Sequence, residues 1–329
     1  VSREELAGVP AVDVWRGPRV ESTHAVAACV CTDGGEVRYQ RGTIDVPIFL
    51  RSAAKPFIAA AVVRAGVVER FGLEPREIAV MAGSHSGEPG HVDAVASILA
   101  KIGASEADLQ CGVQYPGSSQ LRHNCSGKHA GILALSRVLD APVATYLDVD
   151  HPAERAILAL CERAFDDRFD ADRIGIDGCG IPVIALTLRH AATGFARLAT
   201  LRNLAPDDRN ALAIVREAMM AHPWYVAGTA QFDSDLMRAG DGTIVAKGGA
   251  EGVHASGLID AQLGVVLKVI DGARRAVPPA TVALLDELGA LDAGARAALA
   301  PHARAPVTNI AGRVVGDIVA RDGPGDGAV

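Results

Sequence analysis

The chain has 329 residues, 49% hydrophobic but only 4% aromatic, so Ala, Val, Leu and Ile must build a core large enough for one big domain or two intimately packed ones. Its 39 acidic residues against 32 basic ones give a net charge of −7, which argues against nucleic acid or an anionic membrane as partner. No apolar run reaches the ~18 residues of a membrane span, and the opening Val-Ser-Arg-Glu-Glu lacks the basic-then-apolar order of a signal peptide, so a cytoplasmic location is expected.

In chain order, Ala25–Cys31, the Asp33-Gly34-Gly35 turn and Glu36–Tyr39 predict a hairpin, and another strand is expected over Thr43–Phe49. Ser52 is placed to cap an apolar helix running to about Arg70, with Pro56 in its first turn, where backbone N–H groups lack intrahelical partners. Further helices are predicted over Pro75–Ala82, Glu88–Ile102, His129–Leu139, Pro152–Phe165, Ile184–Leu198 and Asp207–Met220. The Gly-rich stretch Asp172–Pro182 reads as a strand ending in a functional loop. Thr243–Lys247, Val253–Leu258 and Val265–Ile270 return to strand patterns, Pro278–Ala300 to a helix, and Val307–Val319 to a closing hairpin. Strands at both ends enclosing a helical middle predict one domain. Its antiparallel sheet comes from residues 1–51 and 241–320, its helical part from 52–240, and a polar tail spans 321–329.

Only five of the 32 basic residues are lysines. Arginine keeps its charge at any working pH, whereas a buried lysine can shift and serve as a base. Lys55, Lys128 and Lys247 fall in motif-like stretches, while Lys101 and Lys268 read as ordinary surface or strand-end charges. Ser52 and Lys55 form the chain's only S-x-x-K. At i and i+3 of a helix the hydroxyl and the amine share a face, and a deprotonated amine there can activate the serine. Serine β-lactamases and penicillin-binding enzymes order S-x-x-K, S-D-N and K-T-G. This chain offers Ser52-x-x-Lys55, then Ser84-His85-Ser86, then Lys247-Gly248-Gly249. Lysine's ordinary pKa of about 10.4 must fall towards 7, by burial and by a second ammonium nearby. Lys247 beside Lys55 would supply the latter, and the pairs Ser52/Lys55 and Ser84/Lys247 could then relay protons.

Six cysteines (Cys29, Cys31, Cys111, Cys125, Cys161, Cys179) in so long a chain point to a reduced compartment and, for most, to the role of small buried hydrophobes. Cys125 in Asn124-Cys125-Ser126-Gly127-Lys128-His129 and Cys179 in Asp177-Gly178-Cys179-Gly180-Ile181-Pro182 are candidates for a metal. By spacing alone, Cys125, His129 and Cys179 would be the ligands, since two thiolates favour zinc and lysine is a rare ligand. Isolated core cysteines are the plainer alternative.

Taken together, RSAAKP, GSHSGE, NCSGKHAG, DGCGIP, FDSDLM and AKGGAEGV, in order from Arg51 to about Val253, resemble the rhizobial-type (class 3) L-asparaginase family. The resemblance implies a serine β-lactamase-like fold, hydrolysis of L-asparagine to aspartate and ammonia, a homodimer, and two Ser–Lys tandems on Ser52/Lys55 and Ser84/Lys247. It also implies one zinc per subunit on Cys125, Lys128 and Cys179, aiding substrate affinity rather than hydrolysis, which displaces His129 from the ligand set.

On this basis Ser52 attacks the side-chain amide, Lys55 takes its proton, and Ser84 with Lys247 protonates departing ammonia. Backbone N–H groups of Ser52 and the Lys247–Gly249 strand are expected to hold the oxyanion. Arg51 is a candidate for the substrate carboxylate, and Asp177 for its ammonium or for orienting a metal ligand. Asn124 and His129 are weaker substrate-binding candidates, and Glu251 a structural partner for a lysine. The rival readings are a zinc-dependent amidase, a β-lactamase-like acyl hydrolase of another amide, and a zinc-holding dimer module without activity.

Overall fold

The computed structural model describes residues 5–321, so most of the 321–329 tail lies outside the described residues. The main sheet is antiparallel and eight-stranded, and it draws on both ends of the chain. From the first part come β1 (Val9–Arg16), β2 (Arg19–Cys31) and β3 (Val37–Arg41). From the last part come β7 (Ile244–Gly248), β8 (Val253–Leu258), β9 (Leu263–Val269), β10 (Arg304–Thr308) and β11 (Val314–Ala320). The order is β10-β11-β1-β2-β9-β8-β7, with β3 also on β2. Long, Val- and Ala-rich β2 is the seam between the two halves. It pairs with β9 from Val26↔Val269 to Cys31↔Gly264, and its last six residues are buried.

Between these halves run the helices α1 (Lys55–Arg64), α2 (Val67–Phe71), α3 (Pro75–Met81), α4 (Pro89–Lys101), α5 (Ser126–Val138) and α6 (Pro152–Phe165). They continue with α7 (Leu188–Thr200), α8 (Pro206–Ala221), α9 (Pro223–Val226) and α10 (Phe232–Ala239). A small sheet, β4 (Ile48–Phe49), β6 (Pro182–Leu186) and β5 (Ile174–Ile176), lies among them. Helices α11 (Val277–Glu287) and α12 (Ala293–Ala303) follow β9. Helix α7 closes on the main sheet because β8 and β9 present glycines to it. A Cβ at Gly257 would lie 2.7 Å from Phe195 O, and one at Gly264 would overlap Ala192 O. Ala-rich α1 is buried from Lys55 to Val63. Its Phe57 ring meets Phe165 of α6 at 4.3 Å and Phe195 of α7 at 5.4 Å. Such pairs contribute about 1 kcal/mol each beyond their burial, and they fix the depth of the helix that carries Lys55.

Several predicted elements differ in the structure. Strand β1 was not anticipated. The strand expected over Thr43–Phe49 shrinks to Ile48–Phe49, next to Pro47, which has no N–H for a ladder. The helix expected from Ser52 to Arg70 breaks at Gly66, whose φ of 80° suits glycine. Ile184–Leu198 divides because Pro182–Leu186 is a fully buried strand, and a short apolar run does not distinguish strand from helix. Thr187 then caps α7, its side chain accepting from His190 N. Pro278–Ala300 divides into α11 and α12, with Gly289 at φ 68° in the link. Lys268 is buried, its ammonium donating to the carbonyls of Val269 and Ile270, so it is not a surface charge. All six cysteines are buried and free. No helix among the described residues is long and apolar enough to cross a membrane.

Candidate active site

Ser52 belongs to a 3-10 turn, Arg51–Ala54, that leads directly into α1, so it precedes the α-helix by a turn and does not cap it. The turn is held from behind. Leu50, fully buried, donates its N–H to Ile184 O and accepts from Ala53 N at 3.2 Å. A Cβ at Gly249 would lie 2.7 Å from Leu50 O, so glycine lets the end of β7 press against the serine turn. Arg51 has φ 54°, a left-handed conformation that costs an L-residue ~1 kcal/mol or more. On the opposite wall Gly83 allows Ser84 to approach α9, where Ser84 N donates to Val226 O at 2.7 Å. A Cβ at Gly83 would meet that oxygen at 2.7 Å.

Lys55, one turn on from Ser52, is 1% exposed. Its Nζ donates to Gly83 O at 2.6 Å and Asn124 O at 3.1 Å, and lies 3.0 Å from Ser84 Oγ. Burial above all, then the charges of Lys128 and Lys247, pull its pKa down to about 8, while the Cys125 and Cys179 sulfurs resist. A neutral amine in this cage keeps two N–H bonds for the two carbonyls and turns its lone pair to Ser84 Oγ–H. The expected Ser84/Lys247 tandem is therefore not what the geometry brings together; Ser84 is bonded to Lys55. Ser52 Oγ makes no hydrogen bond among the described residues, and Ser52 lines a small cavity of about 20 Å³ together with Lys55.

Lys247 is equally buried, but its partners differ. Its Nζ lies 3.3 Å from Asp233 Oδ2 and donates to Gly248 O at 2.7 Å. Gly248 N donates to Asp233 Oδ2 at 2.8 Å, and Gly249 N to Val253 O at 2.8 Å. These two N–H groups are occupied, so the expected oxyanion donors narrow to Ser52 N–H, which makes no bond outside its own turn among the described residues. Glu251 faces Lys268 and Gly272, and the acid beside a site lysine is Asp233 instead.

The candidate substrate binders are placed as follows. Arg51 and Asp177 face each other, Nε and Nη2 both donating to Oδ1, at 2.9 and 2.6 Å. Each is therefore the resting partner of the other at the cavity wall. Asn124 enters through its backbone carbonyl, on Lys55. His129 is fully buried, paired with Tyr146 OH at 2.7 Å, and burial holds it well below the ordinary histidine value. It does not line the cavity, so a direct contact with substrate is not its geometry. Sequence reasoning missed Glu154 of α6, which does line the cavity. Among the described residues its Oε1 is buried without a partner, and burial raises its carboxyl to about 8.

At the start of α5, Lys128 Nζ donates to Cys179 Sγ at 3.0 Å. The sulfur pairing with Cys179, helped by Lys55 and Lys128, holds the Cys125 thiol well below its ordinary value although burial opposes ionisation. The same pairing, with burial, pushes Cys179 up. Burial would lower Lys128, but the Cys125 and Cys179 sulfurs outweigh it and raise the amine above its usual value. Gly127 lets the start of α5 close on α3, since a Cβ there would overlap Val80 O. Among the described residues no three His, Cys, Asp or Glu side chains gather for a metal.

A buried amine hydrogen-bonded to one serine and a turn away from another is the equipment of serine acyl transfer. The profile of the L-asparaginase II family matches residues 12–320, and the chain belongs to that family. No curated protein sequence matches it. Among solved structures, it is similar to Mglu in its native form, with a TM-score of 0.46 and 14% identity over 80% of this chain and 64% of that one. It is also similar to a beta-lactamase from Mycobacterium bovis, with a TM-score of 0.44 and 14% identity over 80% of this chain and 94% of that one. The chain thus spans less than two thirds of the length of native Mglu.

Proposed function

We propose that the protein is an L-asparagine amidohydrolase that releases aspartate and ammonia through an acyl-enzyme on Ser52. The observation that carries this reading is the buried amine of Lys55, 3.0 Å from Ser84 Oγ and one turn along the chain from Ser52, with its pKa lowered to about 8. Ser52 Oγ attacks the side-chain amide carbon as Lys55 accepts its proton, and the oxyanion is met by Ser52 N–H. Lys55 hands the proton to the amide nitrogen by way of Ser84, which is already 3.0 Å away. The C–N bond breaks, ammonia leaves, and water cleaves the ester to give aspartate and free Ser52. One lysine then serves both serines. Arg51 swings from Asp177 to the α-carboxylate of the substrate, leaving Asp177 for the α-ammonium.

The zinc implied by the family resemblance fits Cys125, Lys128 and Cys179 by donor chemistry: two soft sulfurs and an amine suit that ion, and the Lys128–Cys179 contact supports the reading. When bound, zinc would replace the Lys128 proton and supply fixed positive charge beside the Arg51–Asp177 pair, favouring substrate affinity. A homodimer is carried over from the same resemblance, and the cytoplasmic location from the sequence pattern. The test is ammonia release from asparagine and glutamine by wild type, Ser52→Ala and Ser84→Ala, with mass spectrometry for an acyl group on Ser52. Chelation that abolishes turnover while Ser52→Ala retains it would overturn the proposal in favour of a metallo-amidase.

A further inference from the structure

We infer that Asp233 is a positioning residue that pairs with Lys247 as a fixed cation and clamps the end of β7 beside the serine turn, so that Lys247 acts by its charge and passes no proton. This rests on the Ser–Lys hydrolase reading above. The carboxylate reaches three groups at once: Lys247 Nζ at 3.3 Å, Gly248 N at 2.8 Å, and His254 Nε2 at 3.3 Å from its other oxygen. They come from two adjacent strands, because Gly248 and His254 are register partners across β7 and β8. Gly248 leaves room for this contact, since a Cβ there would lie 3.1 Å from Asp233 Oδ1 and press the carboxylate back by a few tenths of an ångström. The neighbouring acid of the F-D-S-D-L-M stretch, Asp235, turns away to Arg238 and His302, so only one acid of the pair serves the site.

No serine hydroxyl contacts Lys247 among the described residues; its acceptors are Asp233 and Gly248 O. An amine bonded to a carboxylate and a carbonyl is held as a donor, with no lone pair turned towards a reacting group. Although burial opposes ionisation, Lys247 foremost, with His254 and Gly248 N–H, holds the Asp233 carboxyl well below the usual carboxylate range. The Lys247 cation in turn helps to depress Lys55, which divides the labour. One lysine is caged by carbonyls and a hydroxyl and free to exchange a proton; the other is paired with an acid and contributes a field.

The experiment compares steady-state asparagine hydrolysis by wild type, Lys247→Arg, Lys247→Met, Asp233→Asn and Asp233→Glu, with thermal melting of each. Arginine cannot be deprotonated, so Lys247→Arg is expected to keep kcat within about tenfold of wild type, whereas Lys247→Met loses on the order of 10³-fold. Asp233→Asn is expected to lower kcat roughly 10–100-fold with KM within about threefold, and Asp233→Glu to recover part of that loss. Lys247→Arg as inactive as Lys247→Met, with both folded, would overturn the inference. Should Lys247→Arg not fold, the Asp233 variants decide, and wild-type kcat in Asp233→Asn overturns it. A wild type that releases no ammonia sinks the hydrolase reading itself, and this inference with it.

Discussion

Lys55 and Lys128 lie on neighbouring helices, are both buried, and differ in what surrounds the amine. Around Lys55 stand two backbone carbonyls and a hydroxyl; around Lys128 stand two sulfurs, one of them strongly acidified. Desolvation pulls both amines down, yet Lys55 falls to about 8 while Lys128 rises above its ordinary value. Burial alone does not make a base. The neighbours decide whether a buried lysine becomes a proton acceptor or stays an ammonium until a metal displaces its proton.

The largest expected effect is removal of the attacking hydroxyl: Ser52→Ala should lower kcat by about 10⁴-fold or more, measured as ammonia release. Removing the base comes next. Lys55→Met should cost roughly 10²–10⁴-fold, and wild-type kcat/KM should rise with pH through about 8, as the folded-state amine loses its proton. The same depressed pKa makes its stability contribution least favourable below pH 8, recovering between 8 and the ordinary lysine value, because there the unfolded chain binds the extra proton. Smaller effects separate the second amine from the first. Cys125→Ser should weaken zinc binding at least about tenfold by equilibrium dialysis, raise KM more than it lowers kcat, and, when metal-free proteins are compared, move the pH–rate midpoint below that of wild type, since Cys125 props up Lys55. The smallest concerns Glu154, whose folded-state carboxyl titrates at about 8. Its raised pKa subtracts stability progressively from the ordinary glutamate value up to pH 8. Glu154→Gln should therefore melt higher than wild type at pH 8.5 and almost with it at pH 4.5. A variant that gains at both would show that packing, not charge, is the cost.

Much of this is legible in the sequence. The in-order motifs from Arg51 to Lys247 are brought to one place, and the sheet built from both ends follows from strand patterns flanking a helical middle. What stayed hidden depends on contacts that no local pattern reports. Nothing near Lys247 in sequence says that its partner is Asp233, because the acid arrives from α10, although F-D-S-D-L-M marked the stretch. Ser84 meets Lys55 through the backbone approach that Gly83 allows. Glu154 reads as an ordinary helical acid until α6 packs its unpartnered oxygen at the cavity. Lys268 is the strand-end charge its position suggests, one residue before the end of β9, but it is buried on its own neighbours' carbonyls, which composition does not reveal. The broken helices at Gly66 and Gly289 show the reverse: glycines in helical patterns were visible, and their left-handed φ values decided the breaks.

The most direct measurement is a titration of the Lys55 amine by heteronuclear NMR of lysine-labelled protein, its resonance assigned by loss in Lys55→Met. A midpoint near pH 8 is the predicted result, with the neutral amine populated where the enzyme works. An amine that stays protonated past pH 10 in the folded protein would contradict the account, because no base would then serve the serines.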